Sequence, residues 1–167
     1  MDLYILRHAI AVERGTPGYN DDSLRPLTDK GAKKMRRIAE GLLTLDLSFD
    51  AILSSPFIRA KQTAEIVAEA FHARKQLEYS PHLETGGDPE KLIGDINGRY
   101  DSDATLMLVG HEPYLSGLVS MLVAGTDSVA IVLKKGGLCK LAVSGLHYGR
   151  CATLEWLLSP AQLVRVR

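Results

Sequence analysis

Cysteine is nearly absent. The 167 residues carry only Cys139 and Cys151, in no CxxC pair, which excludes a disulfide framework and a cysteine-based zinc site. Both read as reduced, half-buried thiols. Neither sign of charge is in surplus, since 20 Lys and Arg balance 20 Asp and Glu, so no broad basic face for nonspecific nucleic-acid binding is expected. Positive charge that matters must therefore be local. Long apolar runs are missing too. The first, residues 3–6, is too short for a secretory h-region and runs into Arg7 and His8, and no later one approaches the roughly 18 residues of a membrane span. The expectation is a cytoplasmic chain that uses neither nucleic acid nor membrane as partner. HExxH spacing is also lacking, so a histidine metal cluster is not signalled. Lys134-Lys135-Gly136-Gly137 lacks the Walker Lys-Ser/Thr and reads as a turn, not a nucleotide loop.

What is present suits one filled core. With 46% hydrophobic content the chain reads as a single domain spanning 1–167, without internal repeats. Residues 3–6 mix β-branched, aromatic and aliphatic side chains without polar alternation, the pattern of a strand buried on both faces. A polar loop follows over 13–22. Thr28 is placed as the N-cap of a helix with Ala32, Met35, Ile38, Ala39, Leu42 and Leu43 at helical spacing and Lys33, Lys34, Arg36 and Arg37 on a solvated side. Residues 50–53 read as a second buried strand, with Ser55 as cap and Pro56 as first residue of a helix to Phe71. A strand over 76–79, a helix opened by Asp88 and Pro89, a strand over 105–109 and a helix opened by Pro113 come next. Residues 138–143 and 153–158 read as an antiparallel hairpin. This order predicts an α/β fold, a three-layer α/β/α sandwich whose mostly parallel central sheet ends in an antiparallel C-terminal hairpin strand.

Ligands of open α/β sheets bind outside the carboxyl ends of the strands, where the strand order reverses. Those ends deliver Arg7 and His8, then Ser54, Ser55 and Arg59, then Glu84, then His111. Arg59 is placed in the first turn of its helix, where a cation opposes the macrodipole at a cost of about 0.3 to 1 kcal/mol unless an anion sits there as well. Two arginines, two histidines and helix N–H groups meeting at one edge describe a phosphate site. His72, His82 and His147 read as ordinary surface or hydrogen-bonded residues.

Three blocks in order carry a resemblance: Leu6-Arg7-His8-Ala9; Ser54-Ser55-Pro56-Phe57-Ile58-Arg59-Ala60-Lys61-Gln62-Thr63; and Val109-Gly110-His111-Glu112-Pro113. They resemble the signature blocks of the histidine phosphatase superfamily, with its phosphoglycerate mutase-like fold. The short length, Leu24-Arg25-Pro26-Leu27-Thr28, and Ser159-Pro160 make the chain most similar to phosphohistidine phosphatases of the SixA type. The resemblance implies that His8 is the nucleophile and forms a phosphohistidine that water hydrolyses. It implies that Arg7, Arg59 and His111 hold the phosphoryl oxygens, that Arg25 contacts the phosphate or its rim, that Ser55 lines the site, and that no metal or other cofactor is needed. Glu84 matches the place of the general acid in larger relatives. Ala9 departs from the usual glycine, and its methyl group is expected to narrow the pocket without abolishing activity.

Larger relatives cover the site with helical insertions, and here Glu84 and His111 are separated by little more than a short helix, a turn and a strand. An open site suits a phosphorylated protein, such as a histidine phosphotransfer domain. A phosphatase of a small metabolite and a noncatalytic phosphate-binding adaptor are the two other classes the sequence leaves in play.

Overall fold

Alternation of side chains along β1 (Asp2–Arg7) sets the layering. Leu3 and Ile5 join one apolar cluster, while Tyr4 and Leu6 join another on the opposite face. The structure, a computed structural model, describes residues 1–166. Its sheet comprises β1, β2 (Ala51–Ser54), β3 (Leu77–Tyr79), β4 (Thr105–Gly110), β5 (Leu138–Val143) and β6 (Ala152–Leu158), in the order β3-β2-β4-β1-β5-β6. The first four are mutually parallel, and β5 runs antiparallel to both β1 and β6. The expected three-layer sandwich and C-terminal hairpin are present.

One cluster is closed by α1 (Asp29–Leu43) and α2 (Ile58–Ala70), through Met35, Ile38 and Leu42 on the first and Ala60, Ala64 and Val67 on the second. The other is closed by α3 (Pro89–Asn97) and α4 (Tyr114–Ala124), through Leu92, Ile93, Ile96, Leu115, Leu118, Val119 and Leu122. Burying each Leu, Ile, Val or Met side chain among them is worth about 1.5–3 kcal/mol, so the two clusters dominate the cohesion of the layers. Because α1 and α4 leave opposite faces of the neighbouring strands β1 and β4, the crevice between those strands is the switch point of the sheet.

Thr28 caps α1 as expected, its Oγ1 accepting the Gly31 N–H at 3.0 Å. A side chain at Gly31 would sit 1.9 Å from the Ile10 carbonyl oxygen, so only glycine lets α1 approach the segment leaving β1 this closely. Leu43, read as part of the apolar stripe, is 46% exposed, because Leu42 takes the inward position and the next residue is rotated away from it.

Two further differences follow from local competition. The helix after β2 starts at Ile58, not Pro56, and its N-cap Phe57 supplies no side-chain bond. Ser55, expected to cap it, accepts the Phe57 N–H at 3.3 Å, and its hydroxyl also meets His111. A short helix, α5 (Pro160–Leu163), was not anticipated. Ser159 and Gln162 form its capping box, and α1 meets it where a Cβ at Gly41 would lie 2.2 Å from Leu163 O. Among the described residues no helix is long and apolar enough to cross a membrane.

Candidate active site

Strand register brings the three sequence blocks side by side. Ser54 of β2 and Leu6 of β1 both pair with Val109 of β4, and Arg7 pairs with Gly110. His8 N–H then donates to Gly110 O at 3.0 Å and Ser55 N–H to Val109 O at 2.9 Å. The chain therefore leaves three adjacent strands at one level, with His111 between His8 and Ser55.

His8 is buried, and its Nδ1 lies 2.7 Å from Ala9 O. A carbonyl only accepts, so Nδ1 carries the ring proton and Nε2 keeps a lone pair. The His111 ring lies 5.1 Å from that of His8, centroid to centroid. Its Nε2 is 2.8 Å from Ser55 Oγ, which also accepts the Phe57 N–H at 3.3 Å. When Ser55 gives its hydroxyl proton to His111 Nε2, the His111 proton stands on Nδ1. Ala9 packs in the apolar cluster of α1 and α2, so its methyl group fills core space. Its N–H donates to Thr63 Oγ1, which donates to Arg59 O at 2.6 Å and ties the exit of β1 to α2.

Arg7 donates from one terminal nitrogen to Leu133 O at 2.9 Å. Arg59, only 2% exposed, donates to Asp22 O at 2.6 Å and to Asp22 Oδ2 at 2.8 Å. Asp22 Oδ1 accepts two further bonds from Arg25, whose third nitrogen donates to Val12 O. Arg25 thus stands one carboxylate away from Arg59. Burial works to raise the Asp22 pKa, but hydrogen bonds from Arg25 and Arg14 and the charge of Arg59 hold it at about 2. Glu84 ends the single 3-10 turn over Pro81–Leu83, beside Leu83, whose carbonyl packs against Gly110. Among the described residues its carboxylate makes no hydrogen bond or ion pair to the arginines or histidines of the site. Two acidic residues near the site were missed in the sequence. Asp22 was absorbed into a loop, although Asp22 and Arg25 have the i, i+3 spacing of an ion pair. Glu112 follows His111, and its charge partly offsets the lowering that burial imposes on Arg7.

Five buried side-chain nitrogen or oxygen atoms lack a hydrogen-bond partner among the described residues, and three belong here: Arg7 Nε, Arg59 Nε and His111 Nδ1. An unpaired buried donor costs about 1–3 kcal/mol, a cost that an oxyanion received by these donors removes. Burial, then the charges of His111, Arg59 and Arg7, push His8 down to about 3 against the opposing bond to Ala9. Burial, then Arg59, do the same to His111, also to about 3. Both rings are neutral at neutral pH. Acid should therefore destabilise the fold early. Below 6.5 the unfolded chain takes up protons that these rings refuse until about 3, so stability falls as pH falls through that window. Between pH 7 and 5 urea unfolding should lose about 2 kcal/mol for each of the two rings, and their C2-proton NMR shifts should stay flat. A midpoint near 6.5 for either ring would refute this environment.

A ring nitrogen with a free lone pair, a second neutral histidine, a buried arginine and a half-buried one at a sheet switch point define an α/β domain built for an oxyanion. Residues 3–102 match the sequence profile of the histidine phosphatase superfamily (branch 1), and the chain belongs to that superfamily. It is 38% identical over 146 residues, 84% of each chain, to an uncharacterised protein of Picosynechococcus sp.. It is 27% identical over 164 residues, 98% of this chain and 96% of the other, to the phosphohistidine phosphatase SixA of Escherichia coli (strain K12). The solved structure of the protein histidine phosphatase SixA complexed with tungstate matches with a TM-score of 0.83 at 26% identity, covering 98% of this chain and 99% of that one. The fold is thus that of SixA, the phosphoglycerate mutase-like fold.

Proposed function

We propose that the protein hydrolyses phosphohistidine on a phosphorylated protein through a covalent intermediate on His8. The observation that carries this reading is the conjunction of three unpaired buried donors, on Arg7, Arg59 and His111, with a lone pair on His8 Nε2. Tungstate, bound by the SixA of known structure, is an oxyanion of the kind these donors suit.

In the first step His8 Nε2 forms a bond to phosphorus as the substrate's P–N bond breaks. The electron pair leaves on the substrate imidazole, which takes a proton. In this reading Glu84 delivers it, although an imidazole is stable enough to leave with little acid help. Arg7, Arg59 and His111 each hold one non-bridging oxygen, and Arg25 steadies Arg59 through Asp22. In the second step water attacks phosphorus, the P–Nε2 bond breaks, its electrons return to His8, and the water proton passes to solvent or to the released phosphate. Splitting one displacement into two is the gain from the nucleophile.

A protein substrate is favoured by the short connection that reaches the edge. Between Glu84 and His111 the chain forms α3, a turn and β4, with no additional helix to cover the crevice. The test compares a phosphohistidine-bearing histidine phosphotransfer domain with sugar phosphates, and follows the enzyme for acid-labile, alkali-stable phosphate on His8. Faster turnover of the phosphoprotein with label on His8 is expected. A hundredfold preference for the sugars would move the protein to the metabolite class, and binding without turnover of any phosphate donor would make it an adaptor.

A further inference from the structure

Outside the site, one concave surface concentrates charge of a single sign. A groove of about 670 Å³ lies between α1 and α5, walled by Lys30, Lys33, Lys34, Arg37 and Arg165. None of these five cations forms an ion pair among the described residues, in a chain whose formal net charge is zero. Lys30, Lys33, Lys34 and Arg37 repeat at i, i+3 and i+4 along α1, so they repel one another, each such pair costing a few tenths of a kcal/mol. Lys30, in the first turn, also opposes the positive end of the helix macrodipole. Pro160, Ala161 and Val164 give the groove an apolar floor.

The groove connects to the nucleophile through one turn. Gly136 N–H faces Arg7 O at 3.0 Å and His8 O at 3.2 Å, while its other side, where a Cβ would stand, lies 3.1 Å from Ile38 Cδ1 and 3.8 Å from Pro160. Lys134 and Lys135, exposed and also without ion pairs, form the tip of that turn. Positive charge therefore runs from the backbone of the nucleophile into the groove.

We infer that the groove between α1 and α5 docks an acidic segment of the phosphorylated protein substrate, carboxylates against the lysine and arginine walls and aliphatic side chains on the floor. This rests on the reading of the substrate as a phosphoprotein. A nucleic-acid strand fits less well, because the groove presents no aromatic ring on which bases stack. The charges steer encounter and fix orientation, so the effect falls on KM more than on kcat.

Two phosphohistidine peptides, one bearing Asp, Glu and Leu beside the phosphorylated residue and one with every carboxylate changed to Gln, test this together with phosphoramidate. The wild-type protein should favour the acidic peptide by about 30-fold in kcat/KM, a preference that fades with salt. The double variant Lys33→Glu/Arg37→Glu should lose the preference through KM and keep phosphoramidate hydrolysis within about twofold. Should that variant fold poorly by thermal unfolding, Lys33→Gln/Arg37→Gln carries the same test. Persistence of the preference in the variants overturns the groove and leaves the phosphoprotein reading intact. Turnover of phosphoramidate but of neither peptide overturns that reading and the docking with it. Inhibition by a single-stranded oligonucleotide that the variants relieve, with no acidic-peptide preference, assigns the groove to nucleic acid and overturns the inference.

Discussion

His8→Ala will form no phosphoenzyme, and its turnover will fall about 10,000-fold or more, the scale seen when a nucleophile that acts as one unit with its neighbours is removed. The reason lies in proton placement. His8 Nδ1 is committed to Ala9 O, which leaves Nε2 as the ring nitrogen with a lone pair to attack in the proposed reaction. His111, with its centroid 5.1 Å away, is no substitute, because its Nε2 engages Ser55. Rapid quenching in alkali after mixing with a phosphohistidine substrate reads the intermediate directly. A stable label that moves to His111 in the variant would overturn the assignment. The same variant carries a second, independent signature. It lacks one of the two rings that stay neutral below 6.5, so the loss of stability between pH 7 and 5 should shrink by about half. A variant that lost activity through general unfolding would not show that selective change.

How much of this was legible beforehand depended on whether a residue acts locally or across the fold. The strand ends were readable, because a buried apolar run that stops at Arg7 or at Gly110 marks its own exit from the core. Thr28 and Asp88 were readable as caps because a cap bonds to residues two or three positions on. Ser55 was readable only in its local bond, to the Phe57 N–H two residues on. Its second partner, His111, is 56 residues away, and no local pattern announces a hydroxyl shared with a distant ring. Asp22 escaped for a similar reason: its partner Arg59 is 37 residues on, in an element whose docking depends on the whole sheet. The α1–α5 groove was also hidden, since Lys33 and Arg37 read from sequence as a convex solvated face until α5 supplies the opposite wall.

Arg59→Ala should lower turnover about 100- to 1,000-fold, as expected for losing one preorganised donor to a developing oxyanion. The guanidinium is 2% exposed and held from behind by Asp22, so it is in place before substrate arrives and needs no reorganisation. Arg59→Lys should regain only part of the loss, because an ammonium keeps the charge but has no planar fork to reach Asp22 and the ligand together. Burial is the largest cause of the low His111 pKa and Arg59 the next, while at His8 Arg59 ranks behind burial and His111. Removing the cation should therefore raise both values, a change that NMR titration can read. Tungstate affinity should fall alongside, since Arg59 Nε is one of the three donors left without a partner. If the variant kept full tungstate affinity and rate, the buried arginine would be no more than a brace for Asp22. The remaining donors, Arg7 Nε and His111 Nδ1, would then have to hold the anion alone.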